Sequence, residues 1–162
     1  MALMISGLGV SRGVAIGAVH VMQRSALEIY ERHLKATEVD AEVQRFQSAV
    51  ITASQQLRDI QDSVPADAPK DIISFIGSHL LMLDDSMLSQ VPIDLIRERQ
   101  CNAEWALKIQ RDQIASVFEE MEDEYLRTRQ NDIDHVIHLI QKILFDQQYL
   151  VSEEVQTLAG SI

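Results

Sequence analysis

An uninterrupted heptad pattern between residues 39 and 64 constrains the fold more than any other feature of the sequence. Apolar residues recur there at alternating intervals of four and three, which places them along one side of a helix that packs against other helices. Pro65 follows the last of them and ends the pattern. We therefore expect a long helix that begins near Thr37, with Asp40 completing a capping pair. The residues of its seam are Val39, Val43, Phe46, Val50, Ala53, Leu57, Ile60 and Val64.

Several further helices are predicted after this one. The second begins near Asp67, with a break at residues 84–86, and a short helix then reaches about Arg99. Asn102 is the expected cap of another long helix, and a bend near residues 130–131 precedes the final helix. Two long helices with shorter ones between them predict an antiparallel helical bundle. The apolar positions of the final helix are Ile133, Val136, Ile137, Ile140, Ile143 and Leu144.

Both ends of the chain differ from this helical middle. Residues 1–22 contain two short runs of β type separated by glycines, and residues 150–162 look like a similar fragment. Because an isolated pair of strands is marginally stable in water, we expect both ends to belong to one incomplete α/β unit. The predicted fold class is therefore mainly α. It is an antiparallel bundle of two long helices and shorter kinked helices, with short N-terminal β-strands from an incomplete α/β domain.

Composition narrows the classes of partner. The net charge of −11 disfavours nucleic acid and favours a partner with a basic face. The single cysteine, Cys101, has no second cysteine to pair with, which is typical of a reducing compartment. No apolar run approaches the ~18 residues of a membrane span, and no positive leader precedes Arg12. We expect a cytoplasmic protein that binds neither membrane nor nucleic acid.

Most chemical motifs in the sequence are better explained by structure than by catalysis. Gly7, Gly9 and Gly13 fall short of a dinucleotide fingerprint, because the third glycine comes one residue late. Adjacent residues of a helix point about 100° apart, so Ser78 and His79 are not a nucleophile and base. We expect no catalytic residue in this chain.

Two polar clusters lie further along the predicted helices. His135 and His138 are spaced as metal ligands on a helix, but no further ligand is apparent, so exposed histidines are the preferred interpretation. Five acids within residues 119–124 favour a solvated or partner-facing surface. We expect no metal site, and a metal-dependent enzyme built on these two clusters is the least favoured function.

The second predicted helix shows two distinct faces. Its inward stripe is Ile72, Ile76, Leu80 and Leu83. The opposite side has small residues and apolar anchors, which allow another helix to approach closely. That helix belongs either to a partner protein or to the same bundle, and the residue pattern leaves both open. This opposite side comprises Ser74, Gly77, Ser78, Leu81, Asp85 and, after the break, Leu88, with Phe75 and Met82 flanking it.

Four ordered segments resemble the phosphoenolpyruvate–protein phosphotransferase family, the enzyme I proteins of the bacterial phosphotransferase system and their nitrogen-related paralogues. They cover nearly the whole chain. The segments are GVSRGVAIG at residues 9–17, SHLLMLDD at 78–85, NAEWA at 102–106, and EDEYLRTR at 122–129 followed by NDI at 131–133.

The resemblance implies a function that the residue pattern does not reach. In this family a helical domain is inserted into an α/β domain whose histidine receives phosphate from phosphoenolpyruvate. Phosphoenolpyruvate binds with Mg²⁺ to a C-terminal barrel, through which the enzyme forms a homodimer. The helical domain docks a small phosphocarrier, HPr or NPr, used in sugar uptake or nitrogen regulation. The implied boundaries are 1–30 for strands of the α/β domain, 31–146 for the helical domain and 147–162 for the return into the α/β domain.

At the matching positions of this sequence, the resemblance implies a carrier-docking surface. One motif of the family is missing from the sequence. The Thr-Ser-His motif of the phosphorylated histidine does not occur, so the fragment alone is expected to be inactive and to need no cofactor. Acids around the kink are also fewer than is common in the family, which leaves the choice of carrier open. The alternative function is a stand-alone helical adaptor. The implied partner-binding residues are Ser74, Gly77, Ser78, Leu81, Met82, Asp85, Leu88, Arg111, Gln113 and Arg129.

Overall fold

The computed structural model describes residues 28–119 and a helix from Glu124 to Ala159, with side chains of that helix described for residues 129–148. The predicted mainly α class is confirmed, whereas the predicted strands within residues 1–22 lie outside the described part. The elements in chain order are a 3₁₀ turn Ala36–Glu38, α1 Val39–Ser63, α2 Lys70–Asp84, α3 Ser86–Ser89, α4 Val91–Arg99, α5 Ala103–Glu119 and α6 Glu124–Ala159.

The long helix predicted from the heptad pattern is α1. Its start differs from the prediction, because the Glu38 carboxylate accepts a hydrogen bond from the backbone N–H of Lys35 at 2.8 Å. The expected pairing of Thr37 with Asp40 is therefore wrong. Buried residues of α1 end at Ala53, and Ile60 is exposed. The apolar seam thus contributes to the core mainly in its first half.

The core lies where α1, α4, α5 and α6 meet. Phe46 of α1 is fully buried there with Ile96 of α4 and Leu107 of α5. The predicted stripe of the final helix is confirmed, since its residues from Val136 to Leu144 are buried and Ile133 packs against them. Aliphatic side chains supply most of this packing, as the low aromatic content predicts.

The predicted kink separates α2 from α3. Asp85 has an extended backbone, and its Oδ1 accepts a hydrogen bond from the backbone N–H of Met87 at 2.8 Å, which caps α3. Ile76 and Leu83 of the predicted inward stripe are buried, but Ile72 is 44% exposed. Its inward placement is wrong because the first turns of α2 contribute no buried residue to the bundle.

Backbone hydrogen bonds hold the segment before α1 against the junction of α4 and α5. Gln100 ends α4 in the left-handed region at φ 50°, and its carbonyl accepts from Leu34 N at 2.7 Å. The backbone N–H of Asn102 donates to the Arg32 carbonyl at 3.1 Å. The side-chain amide of Asn102 also donates to the Tyr30 carbonyl at 3.2 Å. Asn102 immediately precedes α5, as predicted, and its carbonyl accepts from Ala106 N at 3.0 Å, while its side chain anchors residues 30–32.

A buried ionic cluster joins α1, α5 and α6. Arg45 donates to Glu42 at 2.6 Å, to Glu104 at 2.8 Å and to the backbone carbonyl of Leu144 at 3.1 Å. Glu42 also accepts from the N–H of Ala103 at 2.8 Å, which caps α5 from another helix. Burial alone would raise the pKa of Glu42, but the hydrogen bonds from Arg45 and Ala103 outweigh it and lower the pKa.

The last helix is longer than predicted in both directions. α6 passes through residues 130–131 without a break and continues to Ala159, so no strand forms at residues 150–159. The apolar residues there also fit helical spacing, which the short β-type pattern does not distinguish. Although α6 has 36 residues, no described helix is both long enough and apolar enough to cross a membrane.

Candidate functional site

A groove of about 550 Å³ lies beside the kinked α2–α3 pair. The kink forms one wall, because Asp85 ends α2 and redirects the chain into α3. Side chains of α5 and α6 form the other wall. The lining residues are Ser78, Leu81, Met82, Asp85, Met87, Leu88, Ile114, Phe118, Arg129 and Ile133.

Six of the ten predicted partner-binding residues line this groove. Ser74 and Gly77 lie outside the lining, one turn earlier on α2. The hydroxyl of Ser78 donates to the Ser74 carbonyl at 3.0 Å, as expected for residues stacked on one helix face. Small residues therefore continue along the same face of α2 beyond the groove. The six lining residues are Ser78, Leu81, Met82, Asp85, Leu88 and Arg129.

The apolar side chains of the kinked pair differ in exposure. Leu81 is 73% exposed, and Met82 is partly buried against the core. Leu88 is 3% exposed, so its predicted outward orientation is wrong and it forms part of the groove's floor. The break at Asp85 starts a new helical phase in α3, and the face expected from α2 no longer applies there.

Gly77 distinguishes the two explanations for the small residues of α2. A methyl group placed on its α-carbon would meet no atom within 4 Å among the described residues. No helix within the described part of the chain therefore uses the space that the glycine provides, so packing among the described residues does not explain it. Because glycine inside a helix costs about 1 kcal/mol relative to alanine, its presence here has no compensating contact within the described part of the chain.

Two predicted residues of α5 lie outside the groove. Arg111 forms a two-point ion pair with Asp134 of α6, at 2.6 and 3.3 Å. The hydrogen bond to Asp134 raises the pKa of the Arg111 guanidinium further. Its donors are thus already engaged in holding α5 to α6. Gln113 is exposed.

Four groove residues were not predicted: Met87, Ile114, Phe118 and Ile133. The spacing of four between Ile114 and Phe118 does indicate a shared helix face. Nothing in the sequence indicates that this face turns toward α2, since that depends on the packing of α5 between its neighbours.

One cluster of side chains has the composition of a metal site. The possible donor atoms of His79, Asp132 and His135 all lie within 4.8 Å of one another. Both His135 and His138 are exposed as expected, but the partner of His135 is a histidine of α2 rather than His138. The sequence missed this cluster because it joins residues more than fifty positions apart.

Comparisons with known proteins agree with this architecture. The N-terminal family of PEP-utilising enzymes matches residues 6–129, which is well over half of the chain. A phosphoenolpyruvate-protein phosphotransferase of Cupriavidus necator is 38% identical over 99% of this chain. The protein of the same name from Listeria innocua is 31% identical over the whole chain. The chain covers only 27% and 29% of the lengths of these two proteins.

A solved structure supports the fold independently. The NMR solution structure of an Enzyme I protein matches 75% of this chain and 49% of its own length, with a TM-score of 0.69 and 23% identity. At that identity the match establishes the fold alone. The family match over residues 6–129 shows that the chain belongs to the N-terminal family of PEP-utilising enzymes, and it is similar to proteins named phosphoenolpyruvate-protein phosphotransferase.

Proposed function

We propose that this chain is the carrier-docking part of a phosphoenolpyruvate-dependent protein phosphotransferase. Its groove receives a helix of a small phosphocarrier protein, HPr or NPr. The single observation that carries the proposal is the open outer side of α2. Leu81 is extensively exposed beside the groove, and Gly77 leaves space that no described residue fills. An apolar anchor next to small residues suits a docked helix.

The charge of the chain favours the same kind of partner. The net charge is −11, and the exposed carboxylate of Asp85 lies at the groove. A carrier with a basic face around its phosphorylated histidine would be attracted to this surface and oriented on it. The apolar residues of the groove would then supply most of the affinity.

The remaining steps of phosphoryl transfer are assigned to other parts of the protein. A histidine in the α/β domain accepts the phosphoryl group from phosphoenolpyruvate, which binds with Mg²⁺ in a C-terminal domain that also forms the homodimer. The docked carrier then receives the phosphoryl group from that histidine. We place the protein in the cytoplasm, where sugar uptake or nitrogen regulation would use it.

A stand-alone adaptor is the second candidate, since it would share the bundle and its acidic surface. Carrier binding separates the two functions. An adaptor without a phosphotransfer role has no reason to prefer HPr or NPr over other small basic proteins, whereas a docking module does.

The substitution Gly77→Ala tests the proposal by separating stability from binding. In the free chain the added methyl group meets no described atom, so the free energy of unfolding should rise by about 1 kcal/mol. In the complex the same methyl group lies where the carrier helix approaches. We expect carrier affinity, measured by calorimetric titration, to fall by about fivefold or more.

The matched control is Ser48→Ala on the exposed surface of α1, outside the groove. It should also favour the helix while leaving carrier affinity unchanged. If the Gly77→Ala variant binds the carrier as tightly as the unsubstituted chain, or more tightly, the carrier helix does not approach α2 closely at Gly77.

A further inference from the structure

His79 is buried in α2 with one ring nitrogen satisfied and the other unpartnered. It is 5% exposed, and its Nδ1 lies 2.8 Å from the backbone carbonyl oxygen of Phe75. A carbonyl only accepts hydrogen bonds, so Nδ1 carries a proton, and in the neutral imidazole Nε2 then presents a lone pair. Nε2 is fully buried and has no hydrogen-bond partner within the described part of the chain. A buried acceptor left without a donor is costly, which indicates that something else satisfies it.

Two side chains of α6 lie close to the imidazole of His79. Asp132 and His135 are three residues apart and therefore share one side of the helix. Their donor atoms and those of His79 lie within 4.8 Å of one another, and the two imidazole rings stack with centroids 6.3 Å apart. Asp132 is partly buried and His135 is exposed, so the cluster is reached from solvent along α6.

We propose that His79, Asp132 and His135 bind a divalent transition-metal ion, with Zn²⁺ as the ion that fits best. Two imidazole nitrogens and one carboxylate form a ligand set that zinc accepts, whereas Mg²⁺ and Ca²⁺ prefer oxygen ligands. The Phe75 carbonyl orients His79 in the way that backbone carbonyls commonly hold metal-binding histidines. Water completes the fourth position of a tetrahedral ion.

The geometry requires a small contraction on binding. Zinc–nitrogen bonds of about 2.0–2.1 Å bring donor atoms to roughly 3.4 Å from one another in a tetrahedral site. The exposed ring of His135 and the partly buried Asp132 have room to rotate toward His79, which packing holds in place. The ion would then join α2 to α6.

The site lies next to the groove without depending on the groove's function. Ser78 and Ile133 line the groove, and each is adjacent in sequence to one of the ligands. A bound ion would fix the distance between these two walls. The inference goes beyond carrier docking and stands whether or not a carrier binds.

Calorimetric titration of the 162-residue chain with zinc chloride in a non-chelating buffer tests the site. We expect one ion per chain. We also expect Tm to rise by roughly 5–10 °C at a free zinc concentration about 100 times Kd. The His135→Asn variant should bind zinc about 100-fold more weakly or not at all, since even outer-sphere changes cost 10–100-fold. Because His135 is exposed, its replacement should leave the fold intact.

The matched control is His138→Asn, an exposed histidine three residues further along α6 that is not one of the three ligands. It should bind zinc like the unsubstituted chain.

Asp132→Asn provides a second test, because it removes the charged carboxylate ligand, and we expect this variant to bind zinc more weakly. Equal zinc affinity in the His135→Asn and His138→Asn variants would overturn the assignment, as would a failure of zinc to raise Tm. A nitrogen-15 shift of Nε2 but not Nδ1 of His79 on zinc addition would support it.

Discussion

Leu81→Glu is expected to weaken binding of the phosphocarrier by about 30-fold or more while leaving the helical content unchanged. Leu81 is 73% exposed in the free chain, so a carboxylate there remains in water and costs the fold little. In the complex the same position is covered by the partner, and the charge must be buried. Apolar anchors at the centres of interfaces contribute about 2 kcal/mol or more when they are lost, which corresponds to this change in Kd.

A matched substitution separates this effect from a general increase in negative charge. Ile51 on α1 is 69% exposed and does not line the groove. Ile51→Glu adds the same charge to a similar exposed apolar position, so it should change carrier affinity by less than threefold or so. Circular dichroism of both variants should overlay that of the unsubstituted chain. Equal losses of affinity in the two variants would show that charge, rather than contact at Leu81, governs binding.

Arg45→Met is expected to lower the free energy of unfolding by about 3 kcal/mol. Methionine retains much of the side-chain volume but leaves the carboxylates of Glu42 and Glu104 buried without their cation. It also removes the hydrogen bond to the Leu144 carbonyl, which links α1 to α6. Urea unfolding followed by circular dichroism measures the change.

An exposed ion pair provides the control for Arg45. Lys108 Nζ lies 2.7 Å from a carboxylate oxygen of Asp112, one helical turn further along α5, and the two side chains are 40% and 54% exposed. Lys108→Met should cost about 0.5 kcal/mol, because water already solvates such pairs. A similar small loss in both variants would show that the buried cluster contributes no more than a surface pair.

The same cluster predicts a dependence on pH. The pKa of Glu42 is lowered in the folded chain from its ordinary value of 4.5. Its stabilising contribution is therefore complete above that value and is lost as the pH falls through the lowered pKa. The difference in stability between the unsubstituted chain and the Arg45→Met variant should accordingly narrow in acid.

The sequence predicts most of the helices because their signals are local. The long helix from Val39 and the break at Asp85 depend on spacing and capping within one segment, and both are confirmed, although the second half of the predicted seam is not buried. The apolar residues near the end of the chain fit the spacing of a helix as well as that of a short strand. They form part of α6, so the strand interpretation is wrong. Short apolar runs do not distinguish the two structures without their neighbours.

The candidate site is predictable only where it lies on one helix. Ser78, Leu81 and Met82 follow from the face of α2, but Leu88 does not, because α3 begins a new phase after the kink. Contacts between distant segments, such as Glu42 capping α5, leave no pattern in the sequence. For the same reason His79 is recognisable as a candidate ligand only once α6 is placed beside α2.

The most direct test of the docking account is an amide chemical-shift titration of the nitrogen-15-labelled chain with unlabelled HPr and, separately, NPr. At least one carrier should shift the amides of Leu81, Met82 and Asp85, and should leave those of the α1 surface around Ile51 unchanged. If neither carrier perturbs the kinked α2–α3 pair at saturating concentration, or if the shifts fall instead on α1, the groove is not a carrier-docking site.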